Sequence, residues 1–366
     1  MRLVVKIGSN ILSEGSKGLN RRRINAITKA VVALREMGHE VILVSSGAVA
    51  AGMKRLGLKV KPTEVMLKQA VSAVGQSALI ETYEKSFSEH GIHTAQILLT
   101  RDGLADREMY INAKNTLITL LSYNVVPIVN ENDTVATEEI KFGDNDQLAA
   151  LVASLTEAER LVILSDVDGL YDCDPSLKKN ARLISQVDNI TDEIISFAGG
   201  CGSAVSTGGM YSKLLAAKKA VRSGITVNII NGRRPGTLVS LINGKAHGTE
   251  FTPKGTKLTA RKGWIAFGIK AKGSVTLDPG AVKALVEKRK SLLPSGITSV
   301  EGSFKVGDAV ACHDASGERI AKGLTNYSSK DIEKIMGLRT NQIEKALGYR
   351  YSDEVIHADN IVIGSK

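Results

Sequence analysis

Six short apolar runs, rich in β-branched residues, recur between Leu3 and Ile230: Leu3–Ile7, Val41–Val44, Gln96–Leu99, Val125–Val129, Leu161–Leu164 and Ile225–Ile230. A run that is apolar at both odd and even positions is a strand buried on both faces. Amphipathic stretches of helical length lie between these runs. Asn20 is placed to cap a helix that continues through Leu34 and closes at Gly38. Further helices are expected at Thr63–His90, Asn112–Tyr123, Asn145–Ser154 and Met210–Ser223. Strand and helix in alternation predict a mainly parallel α/β sheet over about the first 240 residues.

The pattern changes after Asn243. Residues 244–263 are rich in Gly, Thr and Lys and show no periodicity, so they read as a connection. Short apolar pieces divided by Gly and Asp follow: Ser274–Leu277, Ile297–Glu301, Ala309–His313 and Ile320–Thr325. They predict a small β-rich domain with short helices near Ala281–Lys288 and Ser329–Met336. The chain is therefore read as a large domain over 1–250, a linker over 251–272, a small domain over 273–350 and a tail over 351–366.

Composition narrows the classes. The formal net charge is +10, which invites nucleic acid or an anionic substrate as partner. Residues 270–366, however, carry 15 Lys/Arg against 12 Asp/Glu, so the excess is spread along the chain. Cys173, Cys201 and Cys312 lie far apart and form no CxxC pattern. An odd, scattered set fits reduced thiols and a cytoplasmic location. The opening MRLVVKIGSN is too short an apolar run for a signal peptide, and no stretch has the length of a membrane span.

Several segments carry residues suited to phosphate and carboxylate chemistry. Lys6-Ile7-Gly8-Ser9 ends the first strand, where a glycine lets backbone N–H groups approach an anion and a lysine can reach a phosphoryl oxygen. An ordinary strand-to-loop turn reads the same way. Ser45-Ser46-Gly47 follows the second strand and opens a small-residue helix, Ala48–Met53, which suits an anion or simple capping. Gly199–Lys213 reads GGCGSAVSTGGMYSK, a glycine-rich loop leading into a helix that carries Lys213. No GxxxxGK[ST] loop and no GxGxxG with its following acidic residue occurs. Asn130-Glu131-Asn132-Asp133 and Gly143-Asp144-Asn145-Asp146 sit at element boundaries, where open α/β sheets place ligands. Ser165-Asp166-Val167-Asp168-Gly169 follows the Leu161–Leu164 strand and suits ribose, adenine, metal or a plain β-turn.

Taken in order, KIGSN (6–10), SSGAVAAG (45–52), AVGQ (73–76), LLTRDGLADREMYINAKNT (98–116), VPIVNENDTVAT (126–137), KFGDNDQLAA (141–150), LSDVDGLYDCDP (164–175) and STGGMYSK (206–213) resemble the amino-acid kinase superfamily. The branch resembled is the one that phosphorylates the γ-carboxylate of L-glutamate. KSLLPSGITSVEGSF (290–304) and IAKGLTNYSS (320–329) resemble the PUA domain that many of these enzymes carry. The resemblance implies a three-layer α/β sandwich with a mainly parallel central sheet and a small β-rich PUA-like domain. It implies ATP as co-substrate, Mg²⁺, proline as feedback inhibitor, a homo-oligomer (dimer or tetramer) and a γ-glutamyl phosphate reductase as partner.

Residue by residue, the resemblance implies that Lys6 and Lys213 stabilise the transferring phosphoryl group and that Asp144 positions them. It gives glutamate binding to Ser46, Asp133, Asn145 and Asn130. It gives the nucleotide to Ser165, Asp166, Thr207, Gly208, Gly209, Met210, Tyr211, Ser212 and Lys213, together with Lys6. No protein ligand for a metal is assigned. The competing readings are another carboxylate kinase of the superfamily, acting on N-acetylglutamate or aspartate, and an RNA-binding accessory protein working through the small domain.

Overall fold

β1 (Arg2–Ile7) shows why the chain forms a sheet sandwiched between helices. Leu3, Val5 and Ile7 enter one apolar cluster while Val4 enters another, so the strand buries both faces. The same division holds for β2 (Glu40–Ser45), where Val41 and Leu43 oppose Ile42 and Val44. In this computed structural model the described residues are 1–13, 18–136, 144–173, 175, 180–198, 209–234, 236–245, 247–253 and 260–364; at 144, 260, 261 and 267 only the backbone is described. The chain divides into two units, Met1–Lys257 and Leu258–Lys366.

The first unit adds β3 (Thr94–Leu99), β4 (Val126–Glu131), β5 (Arg160–Ser165), β6 (Leu170–Tyr171), β7 (Leu183–Ile184), β8 (Gln186–Val187), β9 (Thr226–Asn231) and β10 (Thr249–Phe251). Eight of these ten strands form one sheet in the order β3-β4-β2-β1-β5-β9-β10-β8, while β6 and β7 pair separately. Every pair in the large sheet is parallel except β9 with β10. The strand order reverses between β1 and β5, the switch point at whose carboxyl edge open α/β sheets bind ligands.

Among the described residues ten helices join these strands: α1 (Ser9–Leu12), α2 (Arg21–Glu36), α3 (Ala48–Arg55), α4 (Val65–Ser88), α5 (Arg101–Ala105), α6 (Arg107–Ser122), α7 (Asp144–Leu155), α8 (Asp192–Ser196), α9 (Met210–Arg222) and α10 (Thr237–Ile242). The Asn20 side chain accepts from the Arg23 N–H, so α2 starts at the cap that the sequence predicts. Ile24, Ile27, Val31 and Leu34 of α2 meet Leu79, Tyr83 and Phe87 of α4 on one side of the sheet. Leu117 of α6, Leu148 to Leu155 of α7 and Leu214 to Ala220 of α9 fill the other. The result is the three-layer α/β sandwich expected.

α3 and α4 cross in close contact. A Cβ on Gly75 would lie 1.8 Å from the Ala48 carbonyl oxygen, and one on Gly52 would lie 1.8 Å from that of Val71. Only hydrogen fits at either position, so the two glycines set the distance between α4 and the start of α3.

The second unit begins with α11 (Ala260–Gly263), which runs into a π-helical turn at Trp264–Gly268. Its sheet contains β11 (Gly273–Leu277), β12 (Ile297–Gly302), β13 (Ala309–His313), β14 (Arg319–Leu324) and β15 (Ile361–Ile363), in the order β12-β11-β13-β14-β15. α12 (Pro279–Val286), α13 (Ser329–Ile335) and α14 (Ile343–Leu347) accompany it. Asp278 caps α12, and Ser328 with Asp331 forms a capping box on α13. Inside this unit the buried Lys322 ammonium donates to the Ala266 and Ile269 carbonyls at 2.7 and 2.8 Å. That contact fixes the π-helical turn to β14, within the stretch read from sequence as linker. β15 likewise falls in the stretch read as tail, where three residues are too few to announce a strand.

Candidate active site

β1 delivers Lys6 to the switch point. Its neighbour Val4 lies in the cluster filled by α7 and α9, and two residues further along the same face the side chain becomes an ammonium. Lys6 is 4% exposed and forms an ion pair with Asp146 of α7. The second oxygen of Asp146 faces Lys213 of α9 at 3.5 Å. Lys213 Nζ also donates to the Gly209 carbonyl at the head of its own helix, at 3.2 Å. One fully buried carboxylate thus stands between two ammonium groups that arise more than 200 residues apart in the chain.

The electrostatics follow from burial. Desolvation pushes the Lys6 ammonium below its usual value; Lys213 adds to that push and Asp146 opposes it. Burial alone would raise Asp146. The charges of Lys6 and Lys213, with hydrogen bonds from Lys6 and Ser212, outweigh it and hold the carboxyl below the ordinary aspartate value. Gln147 ties the same two helices together, its Nε2 donating to the Ser212 carbonyl at 3.1 Å.

Beside this charged group lies a neutral one. Asn145 precedes Asp146 in the first turn of α7. Its Nδ2 donates to Ser46 Oγ at 3.1 Å, to Asn130 Oδ1 at 3.0 Å and toward the Ser45 carbonyl at 3.3 Å. Asn130 ends the apolar part of β4 and is 3% exposed; its Nδ2 donates to Gln76 Oε1 of α4 at 2.7 Å. Asp133, just past β4, accepts from the Ser72 hydroxyl. Burial raises its pKa above the usual value, and the Ser72 bond opposes that rise. Gln69 Nε2 reaches the Ala136 carbonyl at 3.3 Å. Gln69, Ser72 and Gln76 are spaced i, i+3, i+7, so they form one polar stripe of α4 that grips the end of β4. Tyr83, one further heptad step along, shares a hydrogen bond of 3.0 Å with Ser45 at the end of β2.

The edge of β5 supplies a third group. The Gly8 N–H donates to the Leu164 carbonyl at 3.2 Å, which brings the loop after β1 against β5. Asn10 Nδ2 donates to Asp166 at 3.0 Å, and Ser165 Oγ lies 3.4 Å from the same carboxylate. Burial would raise Asp166, but the Asn10 bond, its own backbone N–H and Arg233 hold it low. Asp168 accepts from Asn231 at 2.9 Å and pairs with Arg234 at 3.0 Å.

The residues expected for the site therefore come together where described. Lys6 and Lys213 converge on one carboxylate. Ser46, Asn130 and Asn145 form one hydrogen-bonded cluster, and Asp133 lies just beyond it on the same loop. Ser165 and Asp166 sit across the switch point from Gly8, and Gly209 to Ser212 form the head of α9. Thr207 and Gly208 lie outside the described residues, as does the side chain of Asp144. Among the described residues the carboxylate that touches both lysines is Asp146, a member of the same Gly-Asp-Asn-Asp motif to which no separate role was given. Sequence reading also missed Gln76, Ser72 and Gln147. The stripe spacing on α4 was the signal that could have found the first two.

Such an arrangement can do two things. Paired ammonium groups at a sheet edge, beside helix N-termini, stabilise an anionic group in transfer. A buried cluster of amides and hydroxyls orients a small polar substrate next to it.

Comparisons with known proteins agree in kind. The amino acid kinase family model matches residues 1–231, and the PUA domain model matches residues 273–347. The glutamate 5-kinase of Caldanaerobacter subterraneus subsp. tengcongensis is 50% identical over 363 residues, covering 99% of this chain and 98% of that protein. Glutamate 5-kinases of Syntrophotalea carbinolica and Geobacter sulfurreducens are each 49% identical over 362 residues, covering 99% of this chain and 97% of theirs. Among solved structures, a UMP kinase from Bacillus anthracis aligns with a TM-score of 0.48 at 13% identity, covering 69% of this chain and 96% of that one.

Proposed function

The chain belongs to the amino acid kinase family, with a PUA domain behind its kinase domain, and from that premise we propose how its residues carry out the glutamate 5-kinase reaction. The reaction moves the γ-phosphoryl group of ATP to the γ-carboxylate of L-glutamate and is the first step of proline biosynthesis.

A glutamate γ-carboxyl has a reference pKa of about 4.3 and is already an anion at neutral pH. No base is needed to generate the nucleophile. The barrier lies in bringing one anion up to another, so catalysis is in-line positioning with positive charge around the transferring group. Lys6 and Lys213 supply that charge. Asp146 sets their separation and opposes the push that burial and Lys213 exert on the Lys6 ammonium. The observation that carries this reading is the single Asp146 carboxylate shared by the two lysines.

Ser46, Asn130, Asn145 and Asp133 hold glutamate, with the Asp133 carboxylate facing the α-ammonium group. Ser165, Asp166 and Thr207 to Lys213 hold the nucleotide. For Mg²⁺ the donor set is informative. Asp146 is committed through both oxygens to ammonium groups, and Asp166 accepts from Asn10 and lies 3.9 Å from Arg233. Among the described residues no group of three or more acidic, His or Cys side chains gathers elsewhere. With those side chains committed, a Mg²⁺ ion would enter with ATP and would supply charge shielding for the phosphates.

We also propose a homo-oligomer, dimer or tetramer. β3 is an edge strand, and α6 buries only Leu117 among its described side chains while Met109 and Ile111 lie exposed. Light scattering on wild type and on Met109→Glu/Ile111→Glu tests it: the variant is expected to have the lower mass, and an unchanged mass removes this surface.

Hydroxylamine tests the reaction directly, because it traps γ-glutamyl phosphate as the hydroxamate. Hydroxamate is expected only when ATP, Mg²⁺ and glutamate are all present, and proline is expected to suppress it. Equal or faster ADP release with N-acetylglutamate or aspartate would overturn the choice of substrate.

A further inference from the structure

The orientation of three amides in the neutral cluster is fixed by one backbone group. The Glu131 N–H donates to Asn130 Oδ1 at 2.9 Å, so that atom is the carbonyl oxygen. Asn130 must then offer its Nδ2 to Gln76, which answers with Oε1 at 2.7 Å. Asn145 must likewise offer its Nδ2 to Asn130 Oδ1, at 3.0 Å. The Ser45 carbonyl, which can only accept, agrees with this orientation. Every amide in the chain Gln76–Asn130–Asn145 is thus set by a main-chain N–H that has no alternative.

Two atoms remain. Gln76 Nε2 and Asn145 Oδ1 are buried and have no hydrogen-bond partner. Gln76 itself is 9% exposed. Unpaired amide atoms at this depth are costly, and native chains retain few of them. These two are complementary in kind: one is a donor and the other an acceptor, at opposite ends of one rigid network. An α-amino acid presents the mirror set, a carboxylate that accepts and an ammonium that donates. A γ-carboxylate directed to Lys6 and Lys213 leaves the α-carboxylate and α-ammonium for this cluster.

We propose that Gln76 is a specificity-determining residue for the amino-acid substrate, its Nε2 donating to the α-carboxylate while Asn145 Oδ1 accepts from the α-ammonium. This rests on the glutamate reading above and extends it to a residue on α4. The stripe that carries Ser72 to Asp133 and Gln76 to Asn130 then has two tasks: it orients the β4 side of the site and supplies one direct contact. A substrate with no acceptor at that position leaves the Gln76 donor buried and unpaired, and one with an amide there brings a weaker acceptor and an N–H that Gln76 Nε2 cannot receive.

Gln76→Glu separates this role from a merely structural one. The glutamate side chain keeps an oxygen for Asn130 Nδ2, so the orientation of the network survives, but it loses the donor. The measurement is the ratio of kcat/KM for glutamate to that for isoglutamine, whose α-carboxyl is an amide and whose γ-carboxylate is free. Wild type is expected to prefer glutamate. In Gln76→Glu the preference should shrink by about tenfold or more, because the new carboxylate repels one substrate and accepts from the other. The KM for ATP should stay near wild type. If Gln76→Glu fails to fold, Gln76→Met, of similar length and with no donor, is read instead and must also narrow the preference. An unchanged ratio in a folded variant overturns the role of Gln76 and leaves the kinase reading standing. Absence of glutamate-dependent ADP release by wild type would instead remove the kinase reading.

Discussion

Asp146 gives one carboxylate to two lysines, and its removal is the sharpest probe of the site. Burial and Lys213 push the Lys6 ammonium down, while Asp146 pulls it up. In Asp146→Asn the downward pushes of burial and Lys213 are opposed only by the smaller pull of Asp166, so Lys6 loses its proton at lower pH than in wild type. The alkaline limb of the kcat profile is therefore expected to move toward acid, and an unmoved limb would mean that Asp146 does not hold the charge on Lys6. Stability carries a second sign. Asp146 is held below its ordinary value of 3.8, so its contribution is present above that value and is lost as pH falls through the folded one. Wild type should thus lose stability in acid more steeply than Asp146→Asn, as read by urea unfolding across the acid range. Breaking a buried pair from one side typically costs about 3–5 kcal/mol, so the variant should also be weaker overall at neutral pH. Lys6→Ala and Lys213→Ala leave folded chains that are each expected to turn over about tenfold or more slowly. Wild-type turnover in either variant would take that lysine out of the reaction.

At the scale of elements, the site is an agreement between helices. α4 grips the end of β4 through Ser72 and Gln76 and reaches β2 through Tyr83, while its Gly75 rests on the start of α3. Gly75→Ala places a Cβ 1.8 Å from the Ala48 carbonyl, so the helices must separate. The change is expected to destabilise the chain by about 1–3 kcal/mol. It should also raise the glutamate KM more than the ATP KM, since Ser46 and Gln76 lie on the two sides of that crossing. A variant with wild-type unfolding and KM would show that the crossing does not set the site. The principal strands and the long helices were legible in sequence because uninterrupted apolar runs and helical periodicity leave little choice of layer. β8 and β10 were not: two or three residues carry no readable period and are strands only because β9 lends an edge to β10 and β10 lends one to β8. The site was legible in its residue types and less so in its directions. That Asp146 meets Lys6 depends on how α7 docks on the sheet, and that rotation is not written in the local pattern. Gln76 was hidden for a related reason, since its meaning lies in Asn130 of a distant strand.

At the scale of the molecule, each of the two units has an apolar interior of its own. The two clusters of the first unit end at Phe251, and that of the second begins at Val275. The buried Lys322 satisfies itself on carbonyls of its own unit. Every residue assigned here to phosphoryl transfer or substrate binding lies before the division at 257/258. A chain ending at residue 257 thus retains its sheet, both helical layers and all those residues. It is expected to fold and to release ADP in a glutamate-dependent way, with kcat within about threefold of the full chain, because transition-state contacts set kcat and none of those assigned is removed. Circular dichroism with a cooperative thermal transition checks the fold, and steady-state assays with varied glutamate check the site. The proposed inhibition by proline is read in the same assay: inhibition of the full chain that survives truncation would assign the inhibitor to the first unit. A truncated chain that folds cooperatively yet turns over more than about tenfold more slowly would mean that the second unit contributes to the reaction through groups other than those named.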